Sequence, residues 1–427
     1  MQKRIICTLL VTGLLVLSSG SALASGFSIY EAGSKATALG CAFTATADDG
    51  SALFYNAAGL SFMTGSRLEA NVVLVAPQFK FTGKLGKTDP ETSTGEAEDN
   101  VFPVPGVYYT NNPGGSLAFG IGVYAPFGLG VTWKDGAEWV GRRISHDVVI
   151  ETVYVTPALS LKLSDSFALA AGVDIAHQNL ELKKYSPEPT SGDNAIHTEL
   201  KGSSSINLTP SFGLMYRPNE KLSLGAMYHF KKTMKFEDGD ASLDPLNTWG
   251  NTLVGALGAD HKLNTDVNLP DIMSLGIAYT FGEKFKAEFN YVWFGWSAFD
   301  KLALDFSNDA LDQTIHFNYE DSWQLRFGFD YQASEKLNLM AGYVHDKSPQ
   351  PLVAVSPLLP DSDRNDYSIG ALYKTGKWDF NVSYMLVVGE ERTNIENGEP
   401  VRNTTDYPFG TYSSLANLLG FGVGYNF

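Results

Sequence analysis

The chain has 427 residues, 44% of them hydrophobic, which excludes a disordered polypeptide and leaves either two or three soluble domains or one large all-β unit. Only 18% of residues are charged, while aromatics reach 12% and glycines number 42; this balance suits a wall that meets something apolar on one side. The net charge of −16 excludes nucleic acid as a partner, because phosphate binding needs clustered lysine and arginine.

At the N-terminus, Lys3 and Arg4 precede an apolar run over 5–17 and a small-x-small site at Ala22-Leu23-Ala24. The run is shorter than the roughly 20 residues a spanning helix needs, so 1–24 reads as a secretory signal. Cys7 leaves with it, and Cys41 then has no partner for a disulfide or a cysteine-based zinc site. No later stretch is long and apolar enough for a helical membrane span.

Residues 25–65 lack strand alternation, and short helical turns are expected at 36–39 and 51–54. About forty residues of this kind are too few for an independent domain.

From there on the chain alternates with period two, as half-buried strands do. Leu117, Phe119, Ile121 and Val123 oppose Ala118, Gly120 and Gly122; Phe285, Ala287, Phe289 and Tyr291 oppose Lys286, Glu288 and Asn290; Trp378, Phe380, Val382 and Tyr384 oppose Asp379, Asn381 and Ser383. Tight-turn signals recur at 111–116, 164–167, 219–222, 282–285, 334–337 and 375–378. A soluble sandwich shows the same period. Three features favour a membrane barrel: strands of nine or more residues, tight turns alternating with long loops, and an alternating C-terminal strand closed by Phe427. Six turns with both barrel ends on the turn side require seven long loops, placed at 83–100, 128–147, 186–197, 237–262, 300–318, 347–365 and 393–413. The expected fold is all-β: a 14-stranded antiparallel transmembrane β-barrel over 66–427. Fourteen strands enclose more space than side chains fill, so 25–65 is expected inside the lumen as a plug.

Several segments together carry a family resemblance: Ala47-Asp48-Asp49 with Asn56-Ala57-Ala58-Gly59-Leu60, Tyr124-Ala125-Pro126-Phe127-Gly128, Trp139-Val140-Gly141-Arg142, Ala341-Gly342-Tyr343 with Ser348-Pro349, Pro357-Leu358-Leu359-Pro360-Asp361 with Arg364, and Phe427. In this order and spacing the mature chain resembles the FadL/TodX family of outer-membrane transporters for long-chain fatty acids and other hydrophobic compounds. The resemblance implies the outer membrane of a Gram-negative bacterium. It also implies passive transport by loop capture, an internal pocket beside the plug, plug movement and lateral exit through a kinked third strand. Asp48, Asp49, Asn56, Gly59 and Leu60 fall in the plug, although Ala57 stands where the family usually has proline. Phe27, near the mature N-terminus, is placed by the resemblance at the pocket. The ending at Phe427 resembles the signal read by the barrel-assembly machinery.

Pro126 interrupts the third strand, and with Gly128 it marks either a lateral opening or the strand's end. Arg326 shares a face with Gln324 and Gly328 and points inward, where a guanidinium suits a fatty-acid carboxylate; Lys183 and Lys231 are further candidates. The competing reading is a bridge from wall to plug, through Asp48, Asp49, Asp174 or Glu288. Leu246, Trp249, Leu253, Val254 and Leu257 have the spacing of a short amphipathic helix, whose apolar face is expected to meet a captured ligand in preference to the lipid headgroup zone. Catalytic, calcium and metal motifs are missing from the sequence, and no cofactor is expected. Expected partners are hydrophobic small molecules (fatty acid or hydrocarbon), outer-membrane lipid and lipopolysaccharide, with the chain a monomer. The alternatives are a general porin or surface-interaction barrel with a structural plug, and an outer-membrane lipid hydrolase.

Overall fold

The computed structural model describes residues 26–85, 92–397, 399–401 and 407–427; the signal expected over 1–24 lies outside them. Fourteen antiparallel strands form a closed barrel. They are β1 (Gly65–Leu85), β2 (Phe102–Asn112), β3 (Leu117–Tyr124 and Gly128–Thr132), β4 (Asp147–Ser164), β5 (Phe167–Pro187), β6 (Asn194–Ser203 and Asn207–Tyr216) and β7 (Leu222–His229 and Lys232–Pro245). The circuit continues with β8 (Asp260–Leu269 and Ile272–Phe281), β9 (Phe285–Phe294 and Lys301–Phe306), β10 (Gln313–His316 and Ser322–Gln332), β11 (Leu337–Asp346), β12 (Arg364–Thr375), β13 (Trp378–Gly389) and β14 (Pro408–Asn426). Each strand pairs with the next, and β14 returns to β1 in register from Arg67↔Asn426 to Leu85↔Pro408, which closes the sheet on itself.

Burial separates the barrel from the sandwich. Leu117, Phe119, Ile121, Trp378, Phe380 and Val382 are exposed, whereas Asp379, Asn381 and Ser383 are buried. A sandwich buries its apolar face; here the apolar face looks outward and the small or polar face looks into the lumen, as lipid on the outside demands. All six expected turns connect strands at one end, with Gly114, Gly282 and Gly376 supplying the positive φ that tight turns require. The opposite connections are shorter than expected because the strands run on: within 237–262, strand continues to Pro245 and resumes at Asp260, with helix α3 (Thr248–Leu257) between them.

Residues 26–64 fill the lumen. They contain α1 (Ser34–Ala38), α2 (Ala52–Tyr55) and a 3-10 helix over Ala57–Phe62. Every residue from 26 to 61 except Asp48 is buried. So little regular structure leaves many backbone groups unbonded, and the wall supplies their partners. Asn290 Oδ1 accepts from the Phe43 and Thr44 amides at 2.9 and 3.0 Å, Glu288 accepts from Ala45 at 2.7 Å, and Glu69 accepts from Gly50 at 3.1 Å. Wall glycines let the plug backbone approach closely: a Cβ at Gly342 would lie 2.0 Å from the Gly40 nitrogen, and one at Gly225 would lie 2.2 Å from the Thr44 oxygen. This close approach accounts for part of the high glycine content.

An apolar cavity, a polar cleft and an interrupted strand

Above the plug, inward side chains from β3 to β6 and from β8 to β10, with Leu358 and Leu359 of the β11–β12 connection, converge on an apolar cavity. Its walls include Leu182, Leu263, Val267, Phe299, Phe317 and Leu358. The free space at its centre is about 60 Å³. Phe27 lines this cavity, and its ring packs edge-on against Trp296 (4.8 Å), Phe299 (5.3 Å) and Phe127 (6.1 Å). The backbone just before Phe27 is fixed by the Gly26 amide, which donates to Asp361 Oδ2 at 3.2 Å. Ser348 Oγ donates to the same oxygen at 2.7 Å.

Burial pushes the Asp361 carboxyl up to about 6 from 3.8. The folded state therefore holds this proton more tightly than the unfolded chain. The resulting stabilisation is complete below about pH 4 and is lost as pH rises through about 6, a difference of about 3 kcal/mol at most. Thermal unfolding in detergent between pH 4 and 7 should show this decline in the wild type. Asp361→Asn should make it shallower, with other buried carboxyls keeping the remainder; an unchanged slope would exclude Asp361 as a titrating group.

A more polar cleft adjoins the cavity on the loop side and shares Leu182, Leu304, Ile315, Phe317 and Leu358 with it. Arg143, Lys184 and His316 also line the cleft. Lys184 continues the inward parity of Asp174, Leu180 and Leu182, and no acidic side chain among the described residues pairs with it. Lys183, the expected candidate, has the opposite parity: it pairs with Asp147 (2.9 Å) and Glu181 (2.7 Å) on the outer face.

Lys231 is also displaced from its expected role. The break between the segments of β7 leaves it exposed and turns Lys232 inward, where its ammonium lies 3.1 Å from Asp174 and 4.4 Å from the Tyr154 ring centroid. Asp174 also bonds His229 Nδ1 at 3.0 Å, and His229 Nε2 lies 3.0 Å from the Phe54 carbonyl oxygen of the plug. Arg326 does point inward, but into the plug. Its Nη1 donates to the Cys41 carbonyl at 3.1 Å, its Nε donates to Gln324 at 2.8 Å, and it lies 4.1 Å from the Tyr30 ring centroid. It does not line the cavity, so the wall-to-plug reading describes its position, with a carbonyl in place of the expected carboxylate.

The expected helix at 246–257 forms as α3, yet Leu246, Trp249, Leu253, Val254 and Leu257 lie away from the cavity. Val254 packs with Ala195, Ile196 and Leu243, with Trp249 and Leu253 against them, and Leu246 is exposed. Within the plug, Asp48 pairs with Lys35 at 2.5 Å, and Asp49 accepts from Ser51 Oγ at 2.6 Å. Asn56 caps the 3-10 helix by accepting from the Ala58 amide at 3.1 Å, so its turn is held without the family's proline. A Cβ at Gly59 would lie 2.1 Å from the Ala47 oxygen, and the Leu60 carbonyl accepts from Asn112 at 3.2 Å.

Pro126 lies inside an interruption of β3 and not at its end. Against the continuous β4, Tyr124 pairs with Tyr154 and Gly128 with Glu151, so three residues of β3 face two of β4. Residues 124–131 are all buried, which shows that this stretch leaves the lipid-facing wall and moves inward. Opposite it, Phe102 to Pro105 pair with β1 alone; pairing with β3 begins at Gly106. Pro103 and Pro105 suit such an edge, since neither has an N–H to leave unbonded. The strands rejoin at Ala97↔Trp133, so the unpaired stretch is a bounded window. The inner edge of the window is occupied by the N-terminal segment: the Ile29 amide donates to Pro126 O and the Gly128 amide to Phe27 O, each at 2.8 Å.

A family model described as outer membrane protein transport protein (OMPP1/FadL/TodX) matches residues 15–427. Outer membrane protein P1 of Haemophilus influenzae is 24% identical over the full length of both chains. A long-chain fatty acid transport protein of Escherichia coli is 22% identical over 97% of this chain and 96% of its own. Among solved structures, a Pseudomonas aeruginosa FadL homologue superimposes with a TM-score of 0.82 at 20% identity, covering 94% of this chain and 100% of that one. The Pseudomonas putida toluene transporter TodX gives 0.70 at 16%, covering 92% and 98%.

Proposed function

The chain belongs to the OMPP1/FadL/TodX family of outer membrane transport proteins, and from this premise we propose that it admits hydrophobic molecules by capture in the cleft, transfer to the apolar cavity and sideways exit through the window beside Pro126. The protein resides in the outer membrane and is a transporter of hydrophobic compounds, not an enzyme. The observation that carries the proposed route is that one N-terminal segment, Phe27 to Ile29, both lines the cavity and bonds the inner edge of the window. A ligand that displaces Phe27 therefore frees that edge in the same movement. No energy source is needed, because flux follows the concentration gradient kept up by consumption inside the cell; apolar contacts along the way, at about 25 cal/mol for each Å² buried, only lower the barriers to it. The packed plug argues against a general water-filled pore.

Lys184 supports a carboxylic acid as one ligand class, its tail in the cavity and its head in the cleft. Uptake of labelled oleate and of labelled toluene by cells carrying the gene, lacking it, or carrying Lys184→Ala tests this reading. Deletion should abolish uptake of at least one of the two compounds. Lys184→Ala should slow oleate roughly tenfold, the worth of one charged hydrogen bond, and leave toluene unchanged. Equal loss of both would remove the head-group role.

A further inference from the structure

Away from the ligand path, two imidazoles meet on the outer wall. His146 ends the β3–β4 loop, where its amide donates to the Lys183 carbonyl at 3.0 Å and fixes it beside β5. His197 stands on β6, in register with Tyr185 of β5. Their Nε2 atoms are 3.1 Å apart, and both rings lie 4.9 Å from the Tyr185 ring, which walls the pair on one side. Beyond His197, its Nδ1 lies 3.9 Å from Asp244 Oδ2.

A neutral pair shares one hydrogen bond at this separation. The geometry also matches two ligands on one metal ion: zinc–nitrogen bonds of about 2.05 Å to both Nε2 atoms span 3.1 Å at an N–Zn–N angle of roughly 100°, close to tetrahedral. A carboxylate hydrogen-bonded to Nδ1 is the usual outer partner of a metal-bound histidine, because it directs Nε2 toward the ion; Asp244, at 3.9 Å, makes no such bond here and reaches Nδ1 by a small side-chain rotation. We propose that His146 and His197 bind a divalent late first-row ion, Zn²⁺ in the first instance, through their Nε2 atoms, with Asp244 orienting His197 and water completing the coordination. No third histidine, cysteine or carboxylate joins them among the described residues, so the site is exchangeable and belongs to the surface. Its consequence is mechanical. The ion ties the β3–β4 loop, which brings Arg143 and Ile144 to the rim of the cleft, to the neighbouring wall of β6.

The test is calorimetric titration of Zn²⁺ into the untagged full chain in detergent, beside His146→Ala, His197→Ala and Asp244→Asn. Barrel integrity of each variant is checked by heat-modifiable gel mobility. The wild type should bind one ion. Each histidine variant should bind at least tenfold more weakly with its barrel intact, and Asp244→Asn should weaken binding several-fold. Electron paramagnetic resonance of the wild type with one equivalent of Cu²⁺ should show two nitrogen ligands, and His197→Ala should show one. Binding unchanged in the histidine variants, no binding by the wild type at millimolar Zn²⁺, or a copper spectrum indifferent to His197 would each overturn the assignment.

Discussion

Deleting Pro126 should abolish uptake while leaving the barrel folded. Three residues of β3 face two of β4 at the interruption, so removing one restores continuous register with β4. It also returns the inward-displaced stretch to the wall. The backbone of β3 then faces β2 across the former window, and the N-terminal segment loses the edge it bonds through Ile29 and Gly128. Pro103 and Pro105 still withhold donors from β2, so Pro103→Val with Pro105→Val, added to the deletion, should complete the ladder and deepen the defect. Uptake of oleate and toluene is expected to fall at least tenfold with the deletion alone, while heat-modifiable mobility stays that of a folded barrel. Wild-type uptake from a folded deletion variant would eliminate the sideways exit and leave a route past the plug.

Arg326→Ala should loosen the plug without selecting among ligands. The side chain is 1% exposed. Its loss strips a donor from the Cys41 carbonyl and from Gln324, and a cation from the Tyr30 ring. It also removes positive charge from around Glu31, a buried plug carboxyl that burial already pushes above its usual range. Unpartnered buried groups of this kind cost about 2–4 kcal/mol in total. The expected result is a lower unfolding temperature and higher single-channel conductance in planar bilayers, with oleate and toluene uptake altered together. Loss of oleate uptake alone, with conductance unchanged, would instead make Arg326 a carboxylate anchor.

The pairing of Lys184 with the cleft was already legible in the alternation of β5. Carrying the inward parity of Asp174 ten residues further reaches Lys184, whereas Lys183 lies on the other face. Lys231 was not legible in this way. The inward parity of Ser223 to His229 extends to Lys231, but the break after His229 reverses it, and only the pairing of the two β7 segments with different portions of β6 and β8 reveals the reversal. The amphipathic spacing at 246–257 announced the helix but not the Ala195, Ile196 and Leu243 side chains that Val254 packs on, because a period records which face is buried and not what covers it.

The barrel, its strand number and its turn side are legible in the sequence, since period two, turn residues and strand length are local properties that repeat along the chain. The sequence also marks Pro126 as a defect, because proline cannot serve a central ladder wherever it stands. That β3 resumes beyond the defect, that Arg326 faces a plug carbonyl, and that His146 meets His197 across 51 residues of chain emerge from the fold alone. Those facts depend on register summed around a closed sheet and on the path of a plug with little regular structure. A single inserted residue shifts such relationships without altering the local pattern on either side.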